Sequence, residues 1–181
     1  MKIAVDLDGV VSNTIPLMIK AIEKRGYSVT FDRYNPSIEG IDDVKKFMFE
    51  IVCVVYSKQM KEIPAYKGSR KAVLAITRYL GQITFVTARI ERFNEGTIKW
   101  LWDQFGIPFD FVNKRSADKP QFVLDEGFDV FIEDRLRTAN QAGELGIKTY
   151  LITRSWNVGR LTHKNVIRVD SLAKFYLMEM E

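Results

Sequence analysis

Five short runs rich in β-branched and aromatic residues punctuate the chain: Lys2–Leu7, Gln82–Thr87, about Phe109–Val112, Asp129–Glu133 and Lys148–Ile152. Stretches with helical spacing separate them, at Ser69–Leu80, about Asn94–Phe105, Asp118–Glu126 and Thr138–Leu145, and about Ser171–Met180 comes last. Glycines 81, 106, 127 and 146 close the first four of these helices, at the place where left-handed backbone ends a helical turn. Strand and helix in this alternation predict an α/β fold, a mostly parallel sheet of about five strands covered on both faces.

One interval breaks the rhythm. Asn13–Arg25 reads as a helix, with Ile15, Ile19 and Ile22 on one face, Pro16 in its first turn and Gly26 after it. Asp42–Met60 reads as a second, with Val44, Phe47, Met48, Ile51, Val52 and Val55 at helical spacing. The segment FDRYNPSIEG between them is loop-like. Residues 13–66 are therefore expected to form a small helical cap over the sheet, with residues 1–12 and 67–181 forming the α/β domain.

Composition removes whole classes of chemistry. The 181 residues contain one histidine, His163, and one cysteine, Cys53, which excludes an HExxH metal site, an internal disulfide and a multi-cysteine zinc site. Gln59 stands where a cysteine phosphatase loop would need arginine, and no GxGxxG, GxSxG or Gly-Lys-Ser/Thr occurs. Cys53 and His163 are expected to be structural. The net charge of +4 is compatible with an anionic ligand, but no block of like charges marks a nucleic-acid arm. The acidic Asp6 comes too early for a secretory leader, and no apolar run is long enough to span a membrane. A cytoplasmic chain is expected.

The remaining chemistry sits at strand tips. The first strand runs into Asp6-Leu7-Asp8-Gly9-Val10. Ligands of open parallel sheets bind beyond the carboxyl ends of the strands, and two carboxylates there need a cation or a shared proton. Taken singly, such an acid can equally cap its own turn. The second strand ends in Thr87-Ala88-Arg89, a hydroxyl with small and basic neighbours suited to an anion. The fourth ends in Glu133-Asp134-Arg135, and Lys119 opens the helix before it. A lysine there opposes the helix dipole and needs an anion or water. Lys114 is a second lysine nearby, but it is not at a helix start.

Acid pair, threonine, lysine and acid pair, in that order, resemble the four motifs of the haloacid dehalogenase (HAD) superfamily of phosphatases. DLDGV with VTAR, FIEDR and the later Thr153-Arg154-Ser155-Trp156-Asn157 is similar to its 5′(3′)-deoxyribonucleotidase branch. The resemblance implies a three-layer Rossmann-like fold with a cap inserted after the first strand. It also implies an aspartyl-phosphate mechanism, with Asp6 as nucleophile and Asp8 as an acid/base that starts protonated. Mg²⁺ would be held by the Asp6 carboxylate, the Asp8 main-chain carbonyl and Asp134, a set of hard oxygen donors. Thr87, Ala88, Arg89 and Lys119 would bind phosphate. Glu133 departs from the paired aspartates often seen, which leaves it as a partner of the ligands or a contact through water. Ala88 replaces the serine of some deoxyribonucleotidases.

The implied activity is Mg²⁺-dependent hydrolysis of a small phosphate ester, a (deoxy)nucleoside monophosphate first and a sugar phosphate as the alternative. A non-catalytic phosphate-binding or phosphoacceptor domain and a nucleic-acid end-processing phosphatase are readings of other kinds. Asp8 and the cap speak against the former, the cap and the missing basic tract against the latter. Phe31, Tyr34, Phe47, Phe49, Tyr56 and Tyr66 are cap aromatics able to stack on a base, although Phe47 lies on an apolar helix face. Arg89, Arg135 and Arg154 are candidates for a second anionic group.

Overall fold

A computed structural model describes residues 1–32 and 36–181. Its strands are β1 (Lys2–Val5), β2 (Gln82–Thr87), β3 (Asp110–Asn113), β4 (Val130–Glu133), β5 (Lys148–Ile152) and β6 (Val166–Val169). All pair in parallel, in the order β3-β2-β1-β4-β5-β6. The sheet thus has one strand more than the pattern suggested. The sixth, VIRV, is four residues long with Arg168 inside it, so it carries no apolar run. Arg168 spends its guanidinium on the Asn157 side chain and on the carbonyls of Asn157 and Arg160.

The helices are α1 (Ile15–Glu23), α2 (Val44–Lys58), α3 (Ser69–Tyr79), α4 (Asn94–Phe105), α5 (Lys119–Asp125), α6 (Leu136–Glu144) and α7 (Leu172–Met180). Alternation along the strands divides the core into two layers. On one face Ile3, Val5, Ile83, Phe85 and Ile132 pack with Val73 and Ile76 of α3, Trp100 and Phe105 of α4 and Phe175 of α7. On the other, Ala4, Val86 and Phe131 meet Val123 of α5 and Ala142 of α6. Both faces of the inner strands are buried, as parallel sheets require.

Residues 13–66 leave and return through one pair of strand-like linkers. Asn13 N–H donates to Pro64 O at 2.8 Å, Tyr66 N–H donates to Val11 O at 2.9 Å, and Ser12 bridges Ala65 in antiparallel fashion. Asp43 caps α2 by accepting from Lys46 N–H at 3.0 Å. Ile22, Ile51 and Val55 join the apolar cluster of the first face.

Burial on these two helices is not distributed as the periodicity suggested. On α1 the buried residues are Leu17, Met18, Ala21 and Ile22, with Ile15 and Ile19 only partly covered. On α2 Ile51, Val55 and Tyr56 are buried, whereas Val44, Met48 and Val52 line a cleft. The apolar stripe of α2 is broad enough to serve two surfaces, and the row spaced by four residues lines the cleft while also packing against the core.

Candidate active site

The strand order 3-2-1-4-5-6 is that of the doubly wound folds, in which ligands bind where the order reverses. Here that point is the carboxyl end of β1, between β2 and β4. Val5 is in register with Phe85 on one side and Ile132 on the other, and Asp6 N–H continues the ladder by donating to Ile132 O at 2.9 Å. Asp6 is thereby set beside Glu133 and Asp134, which are distant in sequence.

Lys119, in the first turn of α5, reaches into this group. Its Nζ donates to Asp6 Oδ1 at 2.6 Å and to Glu133 Oε2 at 3.3 Å. Glu133 Oε1 accepts from the Asp134 and Arg135 amides at 3.0 and 3.1 Å, which ties it to the turn leading into α6. Trp156 Nε1 donates to Asp134 Oδ2 at 2.9 Å, and Asn157 Nδ2 donates to Asp134 O at 2.7 Å. Gly9, at φ +87°, lies against the Asp134 carboxylate so closely that a Cβ would overlap its Oδ2 and Cγ. Asp6, Lys119, Glu133 and Asp134 are all buried.

One buried ammonium faces three buried carboxylates, and their acidities follow. Burial, then the neighbouring Glu133, pushes the Asp6 carboxyl well above its ordinary value despite Lys119. Burial, Glu133 and Asp6 do the same to Asp134. Burial would also raise Glu133, but Lys119 and the hydrogen bonds around it hold it low. Burial would lower Lys119, but Asp6 and Glu133 outweigh it and the ammonium is held charged.

One oxygen from each of Asp6, Glu133 and Asp134 lies within 4.8 Å of the others. An all-oxygen donor set with unrelieved negative charge fits a hard divalent cation such as Mg²⁺. Replacing Lys119 by Met is accordingly expected to cost about 3–5 kcal/mol in the metal-free protein, because it strands the carboxylates without a counter-charge. Urea unfolding with and without Mg²⁺ checks this, with part of the loss recovered by the metal; unchanged metal-free stability would contradict it.

Asp8 is directed elsewhere. Its Oδ1 accepts from Ser12 Oγ at 2.8 Å and Arg89 Nη2 at 2.7 Å, and its Oδ2 from Tyr56 Oη at 2.8 Å and Arg89 Nε at 2.9 Å. Burial opposes ionisation, but Arg89 and the other donors prevail, and the carboxyl titrates below its ordinary value. These donors favour the carboxylate form of Asp8 over the protonated acid anticipated, and they bind its side chain to Arg89, Ser12 and Tyr56.

Arg89, expected to bind phosphate, is here turned to protein groups. Its N–H groups point at Asp8, Ser12 Oγ (3.0 Å), Thr97 Oγ1 (3.3 Å) and Met60 Sδ (3.4 Å). With all five donors directed at protein atoms, the guanidinium has none left for a phosphate. Thr87 Oγ1 accepts from the Arg89 amide at 3.2 Å, and Ala88 is exposed in the cleft lining. Lys114 sits over the Phe122 ring, 4.9 Å from its centroid. Arg154 lies 3.8 Å over the Tyr66 ring and donates to Gly9 O at 2.6 Å, bracing the turn after Asp8.

The cleft above this floor has a volume of about 360 Å³. Of the aromatics at 31, 34, 47, 49, 56 and 66, Phe31 and Tyr56 line it, and Tyr34 falls outside the described residues. Phe47 packs edge-on against Tyr27 at 5.3 Å, Phe49 is 55 % exposed, and Tyr66 is taken by Arg154. Cys53 Sγ accepts from Arg92 at 2.8 Å, and His163 Nδ1 accepts from the Asn165 amide. Ser12, Gly9 as a packing partner, Trp156 and Asn157 were not singled out for this site by sequence. The last two lie in a quoted segment after β5, whose position at a strand's carboxyl end was the available signal.

No protein-family model and no curated protein sequence matches the chain. Solved structures do. A haloacid dehalogenase-like family hydrolase from Xanthomonas campestris superposes with a TM-score of 0.65 at 13 % identity, over 99 % of this chain and 94 % of that one. D,D-heptose 1,7-bisphosphate phosphatase from Burkholderia thailandensis gives 0.62 at 13 % identity, over 99 % and 98 %. The enzyme of that name from B. bronchiseptica, complexed with magnesium and phosphate, gives 0.61 at 14 %, again over 99 % and 98 %. The chain has the Rossmann-like α/β fold of these HAD-type hydrolases. Among the described residues no helix is long and apolar enough to cross a membrane.

Proposed function

We propose that the chain is a Mg²⁺-dependent phosphomonoesterase acting through an aspartyl-phosphate on Asp6, with a (deoxy)nucleoside monophosphate as the substrate class. The observation that carries the reading is the buried Asp6–Lys119–Glu133–Asp134 group at the switch point of the sheet. A phosphorylatable carboxylate, an ammonium and a hard-cation site within one cleft are what phosphoryl transfer to a carboxylate requires. The magnesium-and-phosphate complex of a protein sharing the fold agrees with the choice of ion.

Asp6 attacks phosphorus in line with the leaving oxygen, using the carboxylate oxygen not bonded to Lys119. Lys119 and the cation together would hold Asp6 ionised; Lys119 also holds an equatorial phosphate oxygen, and Thr87 donates its hydroxyl hydrogen to another. Asp6, the Asp8 main-chain carbonyl and Asp134 would hold the ion, which would supply the charge that offsets the repulsion between carboxylate and phosphate. Glu133 holds Lys119 and the turn of Asp134 rather than the substrate. Asp8 protonates the leaving oxygen and then takes a proton from the water that attacks the aspartyl-phosphate. Because Asp8 is ionised as arranged, its first proton has to arrive with the substrate, as a phosphate monoanion brings it. Residues 13–66 act as the cap.

The cap's contribution to the cleft favours a leaving group with an apolar face. Ile15, Met18, Phe31, Val44, Met48 and Val52 line it, with Lys45 as the cap's basic side chain among the described residues there. A nucleobase suits such a wall, whereas the second phosphate of a sugar bisphosphate would need cations. Sugar phosphates remain the competing substrates, since D,D-heptose 1,7-bisphosphate phosphatases share the fold. Hydrolysis of p-nitrophenyl phosphate is expected to require Mg²⁺. In a panel, nucleoside monophosphates are expected to exceed hexose phosphates in kcat/KM by about tenfold or more, equivalent to about 1.4 kcal/mol. Undiminished hydrolysis in EDTA would overturn the mechanism, and a preference for sugar bisphosphates would overturn the substrate class.

A further inference from the structure

We infer that Arg89 and Ser12 are positioning residues for Asp8: a two-pronged guanidinium contact, locked from behind by a buried hydroxyl, sets the plane in which Asp8 meets the leaving oxygen. The inference rests on the phosphomonoesterase reading above. Arg89 grips both carboxylate oxygens, Nε to Oδ2 at 2.9 Å and Nη2 to Oδ1 at 2.7 Å, a fork that fixes orientation as well as distance. Its side chain is fully enclosed, while Asp8 keeps 28 % of its side-chain surface accessible. The carboxylate is thus anchored on the protein side and open on the other.

The fork itself cannot turn. Arg89 lies between the rings of Tyr56 and Trp100, 4.7 and 5.7 Å from their centroids, and Thr97 and Met60 hold its Nη1. Ser12 closes the triangle: it donates to Asp8 Oδ1 at 2.8 Å and accepts from Arg89 Nη2 at 3.0 Å, with no surface exposed. Tyr56, the fourth donor to Asp8, also lines the cleft. The Oδ2 position it occupies is the one a leaving oxygen takes over when substrate binds. Ser12 does not line the cleft, and Arg89, which does, has all its donors taken up by protein groups.

A positioning role has a kinetic signature that phosphate binding lacks. Protonation of the leaving oxygen matters for an alkoxide and hardly at all for p-nitrophenolate. With Mg²⁺ present, Arg89→Lys keeps the charge and loses the fork. It is expected to lower kcat/KM for glycerol 2-phosphate by about 100-fold, and for p-nitrophenyl phosphate by less than about threefold. Ser12→Ala, a small change that leaves the packing intact, is expected to lower the glycerol 2-phosphate value by about tenfold with the same selectivity, and it decides the matter if Arg89→Lys does not fold. Equal losses on both esters with a raised KM would return Arg89 to phosphate binding and overturn the inference. Unchanged kinetics in Ser12→Ala would also overturn it. Wild-type protein hydrolysing neither ester would instead refute the phosphomonoesterase reading itself.

Discussion

Asp6→Asn is expected to abolish phosphatase activity, lowering kcat by about 10⁴-fold or more, because no other group takes over from a missing nucleophile. The substitution is close to isosteric. Asn keeps an oxygen for the Lys119 ammonium, which lies 2.6 Å from Asp6 Oδ1, so loss of fold does not explain loss of activity. Stability is expected to move the opposite way. Burial and Glu133 hold the Asp6 carboxyl well above its ordinary value, so its ionised form opposes folding in the metal-free protein. An acid raised on folding removes stability as pH rises through and beyond the ordinary carboxylate range. Asp6→Asn deletes that burden, and the metal-free variant should melt above wild type at neutral pH. Calorimetry without metal and p-nitrophenyl phosphate assays with it check the two halves. A variant that is active, or less stable than wild type without metal, would contradict this account of Asp6.

Gly9→Ala is expected to be nearly as damaging, through geometry rather than chemistry. Gly9 has φ +87°, and a Cβ there would overlap Oδ2 and Cγ of Asp134. Asp134 cannot simply withdraw, because it is buried and its Oδ2 accepts from Trp156 at 2.9 Å. The left-handed backbone alone costs an L-residue about 1–2 kcal/mol, and forcing a methyl into filled space costs about 1–3 kcal/mol more. Displacing Asp134 also splits the group that fits the cation. Expected results are a loss of about 2–5 kcal/mol in urea unfolding and at least a tenfold weaker Mg²⁺ dependence of the residual activity. Wild-type metal affinity in Gly9→Ala would mean that Asp134 is not a ligand.

Much of this molecule was legible in its sequence because the relevant signals are local. QITFVT and KTYLI are strands over the ranges read from them, and Asn94–Phe105 is the helix its spacing indicated. What escaped was whatever depends on a partner far away. β6 pairs through backbone atoms and contains an arginine, so its side chains do not announce it. The apolar stripe of α2 reads as core throughout, yet half of it faces a cleft, and spacing cannot tell a core from a pocket. Arg89 follows a strand-tip threonine and reads as an anion grip. Its anion proved to be Asp8, 81 positions away.

From its sequence alone the protein is an α/β chain with acids, a threonine and a lysine at the ends of its strands, since hydrophobic period and strand-end chemistry are properties of neighbouring residues. The tertiary structure alone decided which of those groups meet. Parallel register brought Asp6 to Glu133 and Asp134, with Lys119 bonded to Asp6 and Glu133, while Asp8 met Arg89 at the end of β2. Coulomb interactions weaken with distance and strengthen with burial, so a carboxylate's partners, and hence its acidity, are fixed only once the chain has folded around it.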